Sequence, residues 1–364
     1  RHARINKLPE IWGEWLPVKV DSNNHIFCNP YIRNEMGWVP KHILIAERHI
    51  YTILAVYMTF IFLLAVSLNG FVIIATMKNK KLRQPLNYII INLSIADFLS
   101  GLVGGFIGMI SNSAGYFYFG KTVCILEGYI VSVAGVCGLM SISVMAFERY
   151  FVVCKPYGPF TLTNTHAALG IGFTWTWSVL WSTPGLIWLD GYVPEGLGTS
   201  CAPNWFSKNK SYSSERIFIF VYFVFCFFIP LLVIIICYGK IVLFLKQKTQ
   251  ATRQSSASSN RQADNKVTKM VLVMISAFLI CWTPYGVLSL YNAINPDKQL
   301  DYGLGAVPVF FAKTANIYNP LIYIGLNKQF RDGVIKMVFR GRNPWAEEMS
   351  TQQRQRSTEA GQPI

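Results

Sequence analysis

Seven stretches of the chain are apolar for long enough to cross a lipid bilayer. Uncharged runs occur at Tyr51–Met77, Gly128–Phe147, Ala167–Leu189, Ile217–Tyr238 and Met270–Pro296. Two more carry a single charge each: Pro85–Gly120 holds Asp97, and Tyr302–Asn327 holds Lys313. About 20 apolar residues cross the hydrocarbon as a helix, and inside lipid only helices or closed barrels satisfy the backbone. The pattern predicts an all-α membrane protein, a seven-transmembrane-helix bundle over residues 50–325. Residues 1–49 are polar and mixed in charge, show no cleavable signal pattern, and read as an extracellular N-terminal tail. Over 326–340 basic and apolar residues alternate at helical spacing, which predicts a short amphipathic helix on the inner membrane surface. Residues 341–364 read as a polar cytoplasmic tail. Pro230, Pro284 and Pro320 fall inside spans five, six and seven, where proline makes kinks that can act as hinges.

Composition agrees: 52% of the 364 residues are hydrophobic and 14% charged, against about 25% charged in soluble chains. The short loops set the orientation. Lys78 to Arg83, Arg149 with Lys155, Lys240 to Lys269 and Lys328 to Arg342 all fall on one side, which the positive-inside rule makes the cytoplasm. The N-terminus is then outside. These segments carry much of the formal +15 charge, so the basic balance is juxtamembrane and not a nucleic-acid footprint. Asn209-Lys210-Ser211 is a glycosylation sequon on the outer side. Of eight cysteines, Cys28, Cys124 and Cys201 lie outside, where disulfides persist. Three cysteines allow three pairings, and the residues alone do not choose among them.

Lys313 is the sharpest chemical signal. A lysine at mid-membrane costs roughly 2.5–3.5 kcal/mol on insertion scales. It must be neutral, paired with a carboxylate, or covalently modified. A desolvated amine loses its proton readily and can condense with an aldehyde to a Schiff base. The plainer account is a lysine that lines a water-filled cavity or is paired for structure.

A set of short motifs then falls in order on the predicted helices: Asn69 in span one; Leu93, Ala96 and Asp97 in span two; Cys124 opening span three and Glu148-Arg149-Tyr150 closing it. Trp175 lies in span four, Cys281-Trp282-Thr283-Pro284-Tyr285 in span six, and Asn319-Pro320-Leu321-Ile322-Tyr323 in span seven. Together they resemble the rhodopsin-like G-protein-coupled receptors. Phe311-Ala312-Lys313-Thr314 resembles the opsins within them. Asn327-Lys328-Gln329 is similar to the ciliary branch, which acts mostly through inhibitory or transducin-type G proteins. The resemblance covers about Tyr51 to Phe339.

The resemblance implies a light-activated receptor that carries 11-cis-retinal covalently on Lys313 and signals to a heterotrimeric G protein, with arrestin, a receptor kinase and membrane lipid as further partners. It puts Glu127 in the counterion position and Glu195 as a second carboxylate on the loop that lids the pocket. It places Gly135, Phe278, Trp282, Tyr285 and Phe310 around the chromophore and pairs Cys124 with Cys201, leaving Cys28 over. On the inner side it implies an Arg149 clasp to Glu148 and Asp264, with Tyr150, Asn319, Pro320, Tyr323, Asn327, Lys328 and Gln329 in activation and coupling. Asn69 and Asp97 join Asn319 in a buried polar cluster. No metal or catalytic residue is implied. A rival within the family is a retinal photoisomerase using the same lysine; the intact Glu148-Arg149-Tyr150 and Asn319-Pro320-Leu321-Ile322-Tyr323 motifs argue against it. A receptor for a diffusible ligand and a transporter or channel are further rivals, the last without an inverted repeat or ring of charges to support it. The chain departs from the family where no cysteine follows the amphipathic helix to carry a palmitoyl anchor. None of the seven predicted spans contains a histidine.

Overall fold

The computed structural model describes residues 19–20, 26–27, 45–155, 162–187, 191–205, 213–251, 259–295 and 302–339. Cys28, Asn209 and the tail beyond 339 lie outside these, as do the side chains of Asp264 and Gln329. In the N-terminal tail, β1 (Lys19–Val20) pairs antiparallel with β2 (Ile26–Phe27). The bundle then follows: α1 (Arg48–Lys78), α2 (Pro85–Ala114), α3 (Gly120–Cys154) and α4 (Asn164–Ser182). After the lid described below come α5, α6 (Ser259–Ile294), α7 and α8 (Lys328–Val338). α5 runs through Ser213–Phe223, a π-helical turn at Val224–Phe228, and Ile229–Ala251. α7 is made of Tyr302–Ala312 and Ala315–Leu326.

Among the described residues five helices are long and apolar enough to cross a membrane by themselves: α1, α2, α3, α5 and α6. The other two predicted spans are interrupted. α4 ends at Ser182, before Pro184, and a single turn, Pro184–Ile187, follows. Thr183 is still right-handed helical (φ −65°, ψ −35°), and the stop comes at Pro184, which has no N–H to return to the Leu180 carbonyl and whose ring crowds it. α7 breaks at Lys313-Thr314, next to the buried charge. The second span, read as continuous to Gly120, in fact stops at Ala114, because Gly115 takes a left-handed conformation (φ 88°) and its N–H returns to Ser111.

The long loop after α4 contains an unpredicted hairpin. β3 (Tyr192–Glu195) pairs antiparallel with β4 (Ser200–Pro203), in the register Tyr192 to Pro203 and Glu195 to Ser200. Gly196 and Gly198, at φ 58° and 72°, supply the turn. The hairpin lies against α3. A Cβ on Gly128 would sit 2.6 Å from a ring carbon of Tyr192, so only glycine admits the approach. The Tyr192 hydroxyl donates to the Ser182 carbonyl at 3.0 Å, tying the lid to the end of α4. α8 buries Phe330 beside Tyr323, with ring centroids 6.1 Å apart, and leaves Lys328, Arg331 and Lys336 exposed.

Candidate functional site

The break in α7 has local causes. Proline cannot donate a backbone hydrogen bond, and a threonine hydroxyl competes for nearby carbonyls. Here the Thr314 hydroxyl donates to the Phe311 carbonyl at 2.7 Å. Lys313 N–H and Thr314 N–H fall back on Phe310 and Phe311, three residues earlier, at 3.2 and 3.1 Å. The Tyr57 hydroxyl of α1 also donates to the Phe310 carbonyl, at 2.9 Å. One turn later Pro320 frees the Asn316 carbonyl, and the Asn69 side-chain amide donates to it at 2.8 Å. Lys313 thus sits on a tight turn held by α1 rather than in a regular helix.

Its side chain enters a largely apolar cavity between α3, α5, α6 and α7, beneath β4. Gly135, Phe278, Trp282, Tyr285 and Glu195 all line it with Lys313. Phe278 and Trp282 are stacked with centroids 5.8 Å apart, and a Cβ on Gly135 would approach the Trp282 ring to 3.2 Å. Phe310 does not line the cavity, contrary to the sequence expectation. It packs instead against Tyr51, Met58 and Leu197 between α1 and the lid. Val309, Ala312 and Lys313 share the cavity-facing side of α7, and Phe310 is turned away from it by the helical twist.

Glu127 of α3 is fully buried, and its Oε1 lies 4.0 Å from Lys313 Nζ. Its Oε2 accepts the Cys201 N–H at 2.9 Å, while Oε1 accepts no hydrogen bond. Burying a charge is costly unless it is paired, so a buried carboxylate with a free oxygen aimed at an amine fits a cation held at Lys313. Gly104 of α2 completes the wall: a Cβ there would meet Val131 at 3.0 Å, with Glu127 and Lys313 within 3.9 Å. Glu195 is the second carboxylate. Its Oε2 accepts the Tyr285 hydroxyl at 2.9 Å, and the same hydroxyl oxygen accepts the Trp205 indole N–H at 3.1 Å. Burial pushes the Glu195 carboxyl above its ordinary range, partly offset by Lys313 and by the hydrogen bond from Tyr285.

Cys124 and Cys201 are joined by a disulfide, with Cα atoms 5.4 Å apart. The bond fixes β4 to α3 just where the Cys201 N–H meets Glu127. Cys124→Ser and Cys201→Ser are each expected to reduce folded protein at the cell surface, and the double variant to be no worse than either. A disulfide of this kind contributes about 2–4 kcal/mol. Surface expression and thermal unfolding of the three variants check it, and losses that simply add would contradict a shared bond.

Below the cavity, Asn319 Nδ2 donates to Asp97 at 2.8 Å, and Asn316 Nδ2 donates to Ser100 at 3.1 Å. Asn69 reaches this group through the Asn316 carbonyl and makes no direct bond to Asp97. At the far end Arg149 pairs with Glu148 through both Nε and Nη2. Lys240 of α5 lies 5.5 Å above the Tyr150 ring. Tyr323 is fully buried, and the Asn327 side chain accepts the Phe330 N–H at the start of α8. Sequence reasoning missed Trp205, Gly104, Ser100 and Asn316. Asn316 was findable, since it follows Lys313 by three residues and shares its helix face. Trp205 was half visible, as a tryptophan in an otherwise polar loop four residues after Cys201.

Comparison with known proteins agrees with this geometry. The family described as 7 transmembrane receptor (rhodopsin family) matches residues 68–323. Pinopsin of Columba livia is 43% identical over 299 residues, covering 82% of this chain and 84% of its own. A blue-sensitive opsin of Carassius auratus is 37% identical over 348 residues, covering 95% and 96%. The crystal structure of squid rhodopsin superposes with a TM-score of 0.76 at 28% identity, covering 87% of this chain and 92% of that one.

Proposed function

The chain belongs to the rhodopsin family of seven-transmembrane receptors and, within it, to the opsins, and from that premise we propose that it carries 11-cis-retinal as a Schiff base on Lys313 and signals, when lit, to a heterotrimeric G protein of inhibitory or transducin type. It is an integral multi-pass membrane photoreceptor and not an enzyme. The observation that carries the retinal reading is the pair at the break in α7: the Lys313 amine stands 4.0 Å from a fully buried carboxylate whose facing oxygen has no other partner. When bound, retinal supplies a conjugated chain that absorbs visible light and changes shape on isomerisation.

The protein's own residues have the following roles. Lys313 provides the primary amine, held by the turn that Thr314 and Tyr57 stabilise. Glu127 balances a positive charge there, and the Cys201 N–H keeps it aimed. Glu195 is a second anion, oriented by Tyr285. Gly135, Phe278, Trp282 and Tyr285 exclude water and hold the ligand, and Phe310 supports the wall from behind. Asp97, Asn69, Asn319 and Pro320 form the polar hinge under the site, with Tyr323 beneath it. Arg149, held by Glu148, is the clasp whose release lets α6 swing at Pro284. Tyr150, Asn327, Lys328 and Gln329 lie at the G-protein face.

In this reading residues 1–49 and the lid are extracellular, Asn209 is glycosylated, and α8 rests on lipid at the inner surface of a plasma or photoreceptor membrane. The tail after 340 serves a receptor kinase and arrestin. The test is to purify the protein with 11-cis-retinal in darkness and record the spectrum before and after light. A red-shifted, light-sensitive band that acid traps as a Schiff base is expected. A spectrum showing only free retinal would refute the proposal.

A further inference from the structure

We propose that Trp205 is a positioning residue for Glu195: its indole N–H holds the Tyr285 hydroxyl so that the hydroxyl proton goes to Glu195 and keeps that carboxylate charged beside the cavity. The proposal rests on the reading that Glu195 faces a cation on Lys313.

The direction of each hydrogen bond is fixed by chemistry. An indole N–H can only donate. Buried indoles need an acceptor, and Trp205, buried between β4 and the helices, finds the Tyr285 oxygen at 3.1 Å. An ionised carboxylate can only accept, so the Tyr285 proton goes to Glu195 Oε2 at 2.9 Å while the indole N–H takes a lone pair on the same hydroxyl oxygen. A hydroxyl that accepts one hydrogen bond donates the next more strongly, because the chain of dipoles polarises itself. A hydrogen bond to the charged form of a carboxylate favours that form. The indole therefore acts on Glu195 without touching it.

The ring's packing gives the arm a fixed base. Trp205 lies two residues past the end of β4, and its centroid lies 6.0 and 5.4 Å from the rings of Tyr222 and Phe223 of α5. Ala293 of α6 packs in the same cluster. Filling the gap between α5 and α6 accounts for an aromatic ring here. It does not account for an N–H directed at the one hydroxyl that serves Glu195. The groups that face Glu195 are Tyr285 from α6, Ser200 from β4, Lys313 from α7 and, by charge, Glu127 from α3. Only the Tyr285 link passes through Trp205.

The test reads Glu195 itself in the protein without chromophore, reconstituted in lipid. An infrared pH titration follows the carboxylic-acid band that disappears in Glu195→Gln. Trp205→Phe should raise the proton affinity of Glu195 by about two- to fivefold. A benzothienylalanine at position 205, which keeps the ring volume and replaces N–H by sulfur, should do the same even if the phenylalanine variant folds poorly. Neither change should move the titration in a Tyr285→Phe background. In the pigment, Trp205→Phe should shift the dark absorption maximum, and the shift should vanish in Glu195→Gln. An unchanged midpoint with benzothienylalanine overturns the proposal. So does an equal shift without the Tyr285 hydroxyl, or a spectral shift that persists without Glu195. Failure to form any pigment would refute the retinal reading alone, since the titration on the empty protein still decides the role of Trp205.

Discussion

Lys313→Ala is expected to abolish covalent pigment while leaving the bundle folded. The chemistry is strict: an imine needs a primary amine, and among the described residues Lys313 is the lysine that lines the cavity. The fold should survive because the turn at 313–314 is held by backbone bonds and by Thr314 and Tyr57, none of which uses the lysine side chain. Removing the amine also leaves the buried Glu127 without its counterpart. Losing one member of a buried pair costs about 3–5 kcal/mol when the other stays charged. A carboxyl can escape much of that cost by taking up a proton, so the expected loss of thermal stability is smaller than that figure. The measurement is the acid-trapped dark spectrum together with surface expression. A light-sensitive trapped band in this variant would place the attachment on another lysine. Adding a free alkylamine with retinal offers a second check: if the cavity is intact, the amine should restore a light-sensitive band without a covalent bond to the chain.

The seven spans were legible because lipid demands long uncharged runs, and those runs need no tertiary information. What the runs hid were the interruptions. The break at Lys313-Thr314 depends on Tyr57 reaching across from α1 and on a threonine hydroxyl bonding its own chain, and a hydropathy pattern contains neither. The lid hairpin was hidden in a polar loop, because four-residue strands flanked by Gly196 and Gly198 look like any turn-rich segment. The pairing of Cys124 with Cys201, and of Glu127 with Lys313, joins residues far apart in the chain. Only likeness to the family brought them together before the structure did. The same likeness misled at Phe310, where a neighbour of cavity-lining residues was taken as lining too; the structure turns it toward Tyr51 and Leu197. Trp205 and Asn316 were missed because their partners, Tyr285 and Ser100, come from other helices.

Glu127→Gln should have the larger effect of the two carboxylate variants, and the structure says why. Glu127 is the nearer anion, 4.0 Å from the amine with one oxygen unbonded, whereas Glu195 already spends its Oε2 on the Tyr285 hydroxyl. A carboxylate beside a cation favours the protonated linkage. An amide of the same shape keeps the hydrogen bond from Cys201 but removes the charge, so the cation is left in low dielectric without an anion. Near neutral pH a fraction of the dark pigment should then lose its proton and absorb at shorter wavelength. Acid should restore the longer band, and so should a halide small enough to take the place of the missing carboxylate. Glu195→Gln should change the dark spectrum less, because Glu127 still faces the lysine. A pH titration of the dark spectrum in both variants decides the assignment. If only Glu195→Gln moves the titration, the lid carboxylate is the counterion and Glu127 serves mainly to anchor β4 through Cys201. A wild-type dark pigment with a single ultraviolet band would show that the linkage carries no proton at rest, and Glu127 would then have no cation to balance in the dark.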